Sequence, residues 1–365
     1  MEKIEPVIDA AGNQTPSPAS QQHHFEFTGN GSEFFRIWIV NILLTIVTLG
    51  IYSAWAKVRT KRYFYGNTHL AQSTFDYLAN PVTILKGRLI AVAILLVYAA
   101  VRTINPIVEP LFFLFLFLLT PWLIVRSHAF NAINSSYRNI RFNFTGTTGE
   151  AAKEYIAYPL LIILTLGLII PYIRYRQTRF TVDNHRFGDQ YFDFNARVKS
   201  YFKVFGIAFV FMFVIGVFSS IMIAAVAGYS AAEAGASMDS QSQQQIAASM
   251  MVYIPIIYLF MAIIGIYVYV ALLNLMFNGI SIADNQFKSS LKVRSMLWIQ
   301  LTNLFGIIMT LGLYYPWAKV RLAKYRLEQL SVMATDFDSF TSSQADQVSA
   351  TGDEIGEVFA VDMGF

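Results

Sequence analysis

The side chains that could carry chemistry are few. His23, His24, His69, His128 and His185 are all the histidines, and no H-E-x-x-H, P-loop, G-x-S-x-G or dinucleotide fingerprint accompanies them. His23 and His24 lie in a polar N-terminal stretch, where a solvated pair is the ordinary arrangement, and His69 and His185 fall at different positions of separate segments. The chain has no cysteine, which excludes disulfides, thiolate metal sites and cysteine nucleophiles. These residues predict no catalytic constellation, no metal site and no cofactor. Arg102 and Glu109 flank Asn105-Pro106 and predict an ion pair tying a helical hairpin. Asn41, Asn274, Asn278 and Asn303 lie within apolar segments. Two readings of them stand open: interhelical hydrogen bonds worth about 1 kcal/mol or less each, or a neutral polar path.

The elements that hold these residues are membrane elements. Hydrophobic residues make up 55% of the 365 and charged residues 14%, and long uncharged runs recur, the profile of a polytopic membrane protein. Seven apolar segments are marked at about 34–56, 86–104, 106–125, 155–173, 204–230, 251–277 and 295–317. Residues 1–24 read as a disordered N-terminal tail, residues 25–340 as the membrane domain, and residues 341–365 as an acidic C-terminal tail.

A segment of about two dozen residues recurs within the membrane domain. With Ala54, Pro121, Pro171, Ile266 and Pro316 as position zero, five copies align without a gap, at about 54–77, 121–144, 171–194, 266–289 and 316–339. Each places an aromatic at position 21: Phe75, Phe142, Phe192, Phe287 and Phe337. Trp55, Trp122, Tyr172 and Trp317 share the next position after zero, and Arg59, Arg126, Arg176 and Arg321 share position 5, where the Ile266 copy has Ala271. The first half reads as a helix end leaving the membrane, with an interfacial aromatic and cations beyond it. The second half alternates around turn residues such as Gly188-Asp189 and predicts a β-hairpin. Since a lone hairpin is marginal in water, the hairpins are expected to pack on one another or on the membrane surface. Phe25-Glu-Phe27-Thr-Gly29 and Phe142-Asn-Phe144-Thr-Gly146 share one arrangement.

Three apolar segments carry Thr-Leu-Gly, at Thr48, Thr165 and Thr310, six residues before their copy's position zero. Gly50, Gly167 and Gly312 mark either helix breaks or the small-residue packing face of straight helices. Charge favours the first reading. If all seven segments crossed, two basic copies would face away from the other three, against the positive-inside bias. If the three Thr-Leu-Gly segments re-enter and the other four cross, only Arg102 of the 27 Lys and Arg residues is external. Both termini are then cytoplasmic.

The basic clusters first orient the chain. They also suit anionic lipid headgroups, whereas nucleic acid would have to approach the bilayer surface itself. The segment from Asn41 through Thr48-Leu-Gly50 to Arg59, with Asn67-Thr68, Phe75-Asp-Tyr77 and Leu85-Lys-Gly-Arg-Leu-Ile-Ala91, resembles the YjgN-like family of bacterial inner-membrane proteins, as does Thr310-Leu-Gly-Leu-Tyr-Tyr-Pro-Trp-Ala-Lys-Val-Arg321. The likeness covers roughly residues 25–340, and Ala54 departs from it where Pro316 fits. It implies a multi-pass protein of the bacterial cytoplasmic membrane and assigns no functional residue, because the family's domain is one of unknown function.

The expected fold is an all-α polytopic membrane protein with short cytoplasmic β-hairpin elements, internally repeated. The expected function is non-enzymatic: passage or binding of a neutral or lipid-like molecule, with the Thr-Leu-Gly elements lining the site. The alternative is a membrane scaffold that binds anionic lipid or a cytoplasmic partner through its basic units. The partner foreseen is the lipid bilayer, with no nucleic acid, and the sequence leaves the oligomeric state open.

Overall fold

A computed structural model describes residues 21–103, 105, 107–233 and 240–334. The chain runs from β1 (Gln21–His24) and β2 (Glu26–Phe27) into α1 (Gly31–Val47) and α2 (Ser53–Gly66), then β3 (Thr68–Leu70) and β4 (Ser73–Tyr77). Next come α3 (Pro81–Arg102) and α4 (Val108–Ile133), then β5 (Ser135–Tyr137) and β6 (Ile140–Phe144). The third group is α5 (Thr148–Ala152), a π-helical turn Lys153–Ala157, α6 (Tyr158–Leu164), α7 (Ile170–Asp183), β7 (His185–Phe187) and β8 (Gln190–Phe194). The fourth is α8 (Val198–Glu233), α9 (Ser240–Gly279), β9 (Ile280–Ile282) and β10 (Asn285–Ser289). The last is α10 (Val293–Met309), α11 (Tyr315–Glu328) and β11 (Leu330–Ala334).

The strands form one 11-stranded antiparallel sheet in the order β1-β11-β10-β9-β8-β7-β6-β5-β4-β3-β2. Its two ends are consecutive stretches of one extended segment, with Phe25 between them and its N–H on the Leu330 carbonyl at 3.1 Å. The sheet therefore bends round into a near-barrel. This corrects the all-α expectation, and the reason is edge pairing: a two-stranded hairpin exposes two unpaired edges, and each is satisfied by the next hairpin. It also corrects the tail boundary, because Gln21–His24 is a strand, with His23 and His24 opposite Val332 and Ser331. The partner of β11 on that side is this N-terminal strand, and Phe25 takes the place in the sheet that position 21 fills elsewhere. Phe337 and the acidic tail lie outside the described residues.

The same backbone contact joins helix end to strand end at five places. The N–H groups of Thr28, Leu78, Thr145, Asn195 and Ser290 donate to the carbonyls of Asn67, Asn134, Asn184, Gly279 and Gln329 at 2.7–3.0 Å. Helix starts follow at once: Asn30 and Asn80 cap α1 and α3, and Thr147 with Glu150 makes a capping box on α5. Gly29 and Gly146 are needed there, since a Cβ would come within 2.8 Å of the Phe27 ring and 2.7 Å of the Phe144 ring.

The helices form five hairpins that rise from the sheet and return to it. Each packs on its ring neighbours, through α2 with α3, α4 with α5, α7 with α8, α9 with α10, and α11 with α1. Two hairpins are long. The spans Pro81–Arg102, Val108–Ile133, Val198–Ala225 and Tyr253–Gly279 are long and apolar enough to cross a membrane, with mean hydropathy 2.1–2.6. The other three hairpins turn at Thr-Leu-Gly. There Leu49, Leu166 and Leu311 have φ of 48–51° and Gly50, Gly167 and Gly312 φ of 86–94°. The glycine N–H reaches the carbonyl five residues back, from Gly50 to Thr45 and Gly312 to Ile307 at 2.7 Å, a Schellman turn. The Thr48 and Thr310 hydroxyls then accept from the N–H groups of Tyr52 and Tyr314, which start the returning helix.

Candidate functional site

Alternation along each strand sends positions 21 and 23 to one face and positions 20 and 22 to the other. Phe25, Phe75, Phe142, Phe192 and Phe287 meet in a single apolar cluster, together with Leu70, Tyr137, Phe187, Ile282 and Val332. One residue from every hairpin can reach one cluster only from inside the ring. The register sets the two layers face to face: Phe75 lies opposite Tyr137, Phe142 opposite Phe187, Phe192 opposite Ile282, and Phe287 opposite Val332. Ring centroids are 6.1 Å apart for Phe25–Phe75, 6.4 Å for Phe142–Phe192 and 6.2 Å for Phe192–Phe287. The one hydroxyl of these layers, on Tyr137, donates to the Leu70 carbonyl at 2.7 Å. The opposite face carries Glu26, Asp76, Asp193 and Lys288, all exposed. Among the described residues the ring is thus apolar inside and polar outside.

Above the sheet, Phe27, Tyr77, Phe144 and Phe194 pack beneath the helix ends. Farther out the helices are apolar on every side. Phe209 to Val214 are six consecutive exposed residues of α8, and Leu111 and Phe113 to Phe115 of α4 are exposed likewise. At the short-hairpin tips Leu49, Leu166 and Leu311 are 92–95% exposed, and nothing lies within 4 Å of a Cβ on Gly50 or Gly312. Such surfaces are stable only in lipid.

The residues singled out from sequence take different places. Trp55, Trp122, Tyr172 and Trp317 are half-buried; Trp55, Tyr172 and Trp317 lie in the first turn of α2, α7 and α11, and Trp122 lies in the middle of α4. Arg59 and Arg126 are exposed, the latter over the Trp122 ring at 5.9 Å. Arg176 instead meets the buried Glu154 through two nitrogens, at 2.6 and 3.2 Å, and Arg321 donates to the Thr302 hydroxyl at 2.7 Å. Asn274 donates to the Leu291 carbonyl and accepts from the Ser289 hydroxyl and the Leu291 N–H, while Asn278 bonds both backbone groups of Ser289. They fasten strand end to helix end. Asn41 and Asn303 are buried inside the first and last hairpins, donating to the carbonyls of Ala56 and Ala318 across the turn. Their amide oxygens have no hydrogen-bond partner. Arg102 lies over the Tyr98 ring at 5.8 Å and makes no ion pair with Glu109 among the described residues.

Two contacts were not legible in sequence because they join different segments. Glu154 faces Arg176 from the π-helical turn, which precedes Pro159, a residue with no N–H for a carbonyl one turn back. The rings of His128, His185 and Phe144 form a mutual cluster, with His128 and His185 centroids 5.7 Å apart and each about 5 Å from Phe144, and His185 Nδ1 lies 2.6 Å from the Thr181 carbonyl. Burial pushes the His185 imidazole below its usual range, against the opposing pull of that carbonyl. No group of three or more His, Asp or Glu that could hold a metal occurs among the described residues.

The chain is similar to the inner membrane protein YjgN of Salmonella typhimurium (strain LT2), with 29% identity over 90% of this chain and 92% of that one. The Escherichia coli O157:H7 protein of the same name is 29% identical over 40% of this chain and 37% of its own length. No solved structure matches. The four membrane-length apolar helices and these relatives make it a multi-pass inner-membrane protein. Residues 22–358 match the family described as "Bacterial protein of unknown function (DUF898)", and with nearly the whole length matched the chain belongs to that family.

Proposed function

We propose that this protein binds a lipid-like molecule and passes it between the bilayer and the interior of the strand ring, without covalent chemistry. The observation that carries this reading is the apolar inner face of the ring beneath helices that are apolar all round. A path for water or ions needs polar groups along its walls, and the amides of Asn274 and Asn278 are bound to backbone. The recurrence of one helix-to-strand contact at five places supports five related units around this interior. The basic helix ends and both chain ends then face the cytoplasm, as the positive-inside bias favours. The scaffold reading finds less support, since Arg176 and Arg321 are engaged within the protein and only Arg59 and Arg126 of that set are exposed.

The test is native mass spectrometry of the detergent-purified protein. Bound lipid is expected on the wild type and is expected to be lost from Phe192→Gln with Phe142→Gln. A wild type free of lipid, or equal retention by the variant, would refute the reading. A cysteine placed at Asp189 in this cysteine-free chain should label only from the cytoplasmic side; labelling from outside inverts the topology.

A further inference from the structure

The hairpins differ in how much uncharged helix they offer the bilayer. In α8 the uncharged run is residues 204–232, about 44 Å at 1.5 Å per residue, and α9 has no charge along its whole length. In α3 the run between Arg88 and Arg102 is residues 89–101, which rises about 20 Å, and in α4 the run between Glu109 and Arg126 is residues 110–125, about 24 Å. A hydrocarbon core is about 30 Å thick. The short hairpins turn back instead of crossing. The tips at Leu49, Leu166 and Leu311 precede by only four residues the helix starts at Ser53, Ile170 and Tyr315, and along α1 the Leu49 tip lies about 20 Å from Arg36, so the tips stop inside the bilayer.

These features adjoin one another. The α3–α4 hairpin packs on α2 on one side and on α5 on the other, so a short hairpin flanks it on each side. At that boundary Arg88 donates to the Ser53 hydroxyl, which in turn donates to the Gly50 carbonyl of the turn. An arginine is thereby held a few residues from a tip inside the bilayer, where a charge draws headgroups and water inward. A bilayer meeting a 20 Å run thins to match it, and thinning shortens the apolar distance that a headgroup must traverse.

We propose that the protein thins the membrane beside α3–α4 and lets phospholipids cross there between the two leaflets, in either direction and without an energy source. This rests on the lipid-handling reading above and adds its substrate class and its route. The long α8–α9 hairpin anchors the ring at full bilayer thickness, and the thinned side lies at α3–α4.

The experiment reconstitutes the full chain into phosphatidylcholine–phosphatidylglycerol vesicles holding a trace of headgroup-fluorescent phospholipid and adds an impermeant quencher. Protein-free vesicles keep the inner-leaflet signal; vesicles with the protein are expected to lose it. Arg102→Leu with Glu109→Leu changes two exposed residues that do not pair, lengthens the uncharged run and should slow the loss about tenfold. Retention of the inner-leaflet signal by wild-type vesicles overturns the inference, and so does an unchanged rate in the variant. A density map in nanodiscs provides a readout independent of rate: thinned lipid at α3–α4 is expected, and uniform thickness there would sink the mechanism. Lipid retained in mass spectrometry without exchange defeats this inference alone, whereas absence of both defeats the lipid-handling reading too.

Discussion

The third and fourth hairpins sit on the strand ring in the same way yet end at very different depths. Thr145 bonds the Asn184 carbonyl at 2.9 Å and Asn195 bonds the Gly279 carbonyl at 2.7 Å, so the seats are alike. Above the seat, α6 stops at Leu164 and the chain turns at Gly167, whereas α8 continues to Glu233. Two local devices separate them. A Schellman turn reverses the short hairpin, and the ion pair between Glu154 and Arg176 locks its two arms together beside the membrane. In the long hairpin α8 and α9 carry no charged residue between Val204 and Ala232 or from Ser240 to Gly279 and pack along one another. Depth in this molecule is therefore set by backbone turns and charge placement within each hairpin, and the ring tolerates both outcomes.

The largest expected effect comes from breaking the short hairpin's lock. Glu154 is 5% exposed but Arg176 is about a third exposed, so Glu154→Gln leaves an arginine that water can partly solvate and should cost about 1.5–3 kcal/mol, read as a lower melting temperature in detergent. No change in melting would show that the pair is solvated. The turn itself gives a sharper contrast. Gly312→Ala, at φ +94° with open space around it, should destabilise by about 1–2 kcal/mol through backbone strain alone. Gly216→Ala, in the middle of α8 and equally uncrowded, should instead stabilise by up to about 1 kcal/mol. Equal effects of the two substitutions would remove the turn as the cause of the difference in depth.

The smallest effect expected is a pH dependence at the root of the third hairpin. His185 is depressed by burial, so between its unfolded value of 6.5 and its lower folded value the unfolded chain binds the proton and the folded chain does not. Stability from this group is complete above 6.5 and falls as pH drops through that window. The groups around it are His128 from α4, Tyr155 from the π-helical turn by way of Phe180, and the Thr181 carbonyl from α7. Melting curves from neutral to mildly acid pH should show the loss, and His185→Phe should flatten it. An unaltered slope in that variant would assign the dependence to other groups.

Much of the local architecture was legible in the chain. Turn residues at Gly188-Asp189 and Ala283-Asp284 place hairpins where β7–β8 and β9–β10 occur, and the uncharged runs locate the four membrane-length helices. What escaped was everything that depends on which segments become neighbours. Asn274 looks like a polar residue adrift in an apolar helix until Ser289 and Leu291 fold back onto it. His128 and His185 lie in different groups of elements, and only the sheet register brings them together against Phe144. The likeness of Phe25 to Phe142 was legible in the shared Phe-x-Phe-Thr-Gly arrangement, but not that Phe25 completes one inner layer with Phe75, Phe142, Phe192 and Phe287.

By itself the sequence determined helix, turn and strand, because hydrophobic runs, glycine at positive φ and alternation act over a few residues. It determined the membrane class as well, since apolar length decides transfer into lipid whatever the fold. Only the tertiary structure decided that five hairpins share one sheet, that the first strand closes it against the last, and that the aromatic layer points inward. Those outcomes turn on hydrogen bonds between residues as far apart as Phe25 and Leu330, and an edge strand's unpaired N–H and C=O groups name no particular partner until the ring exists.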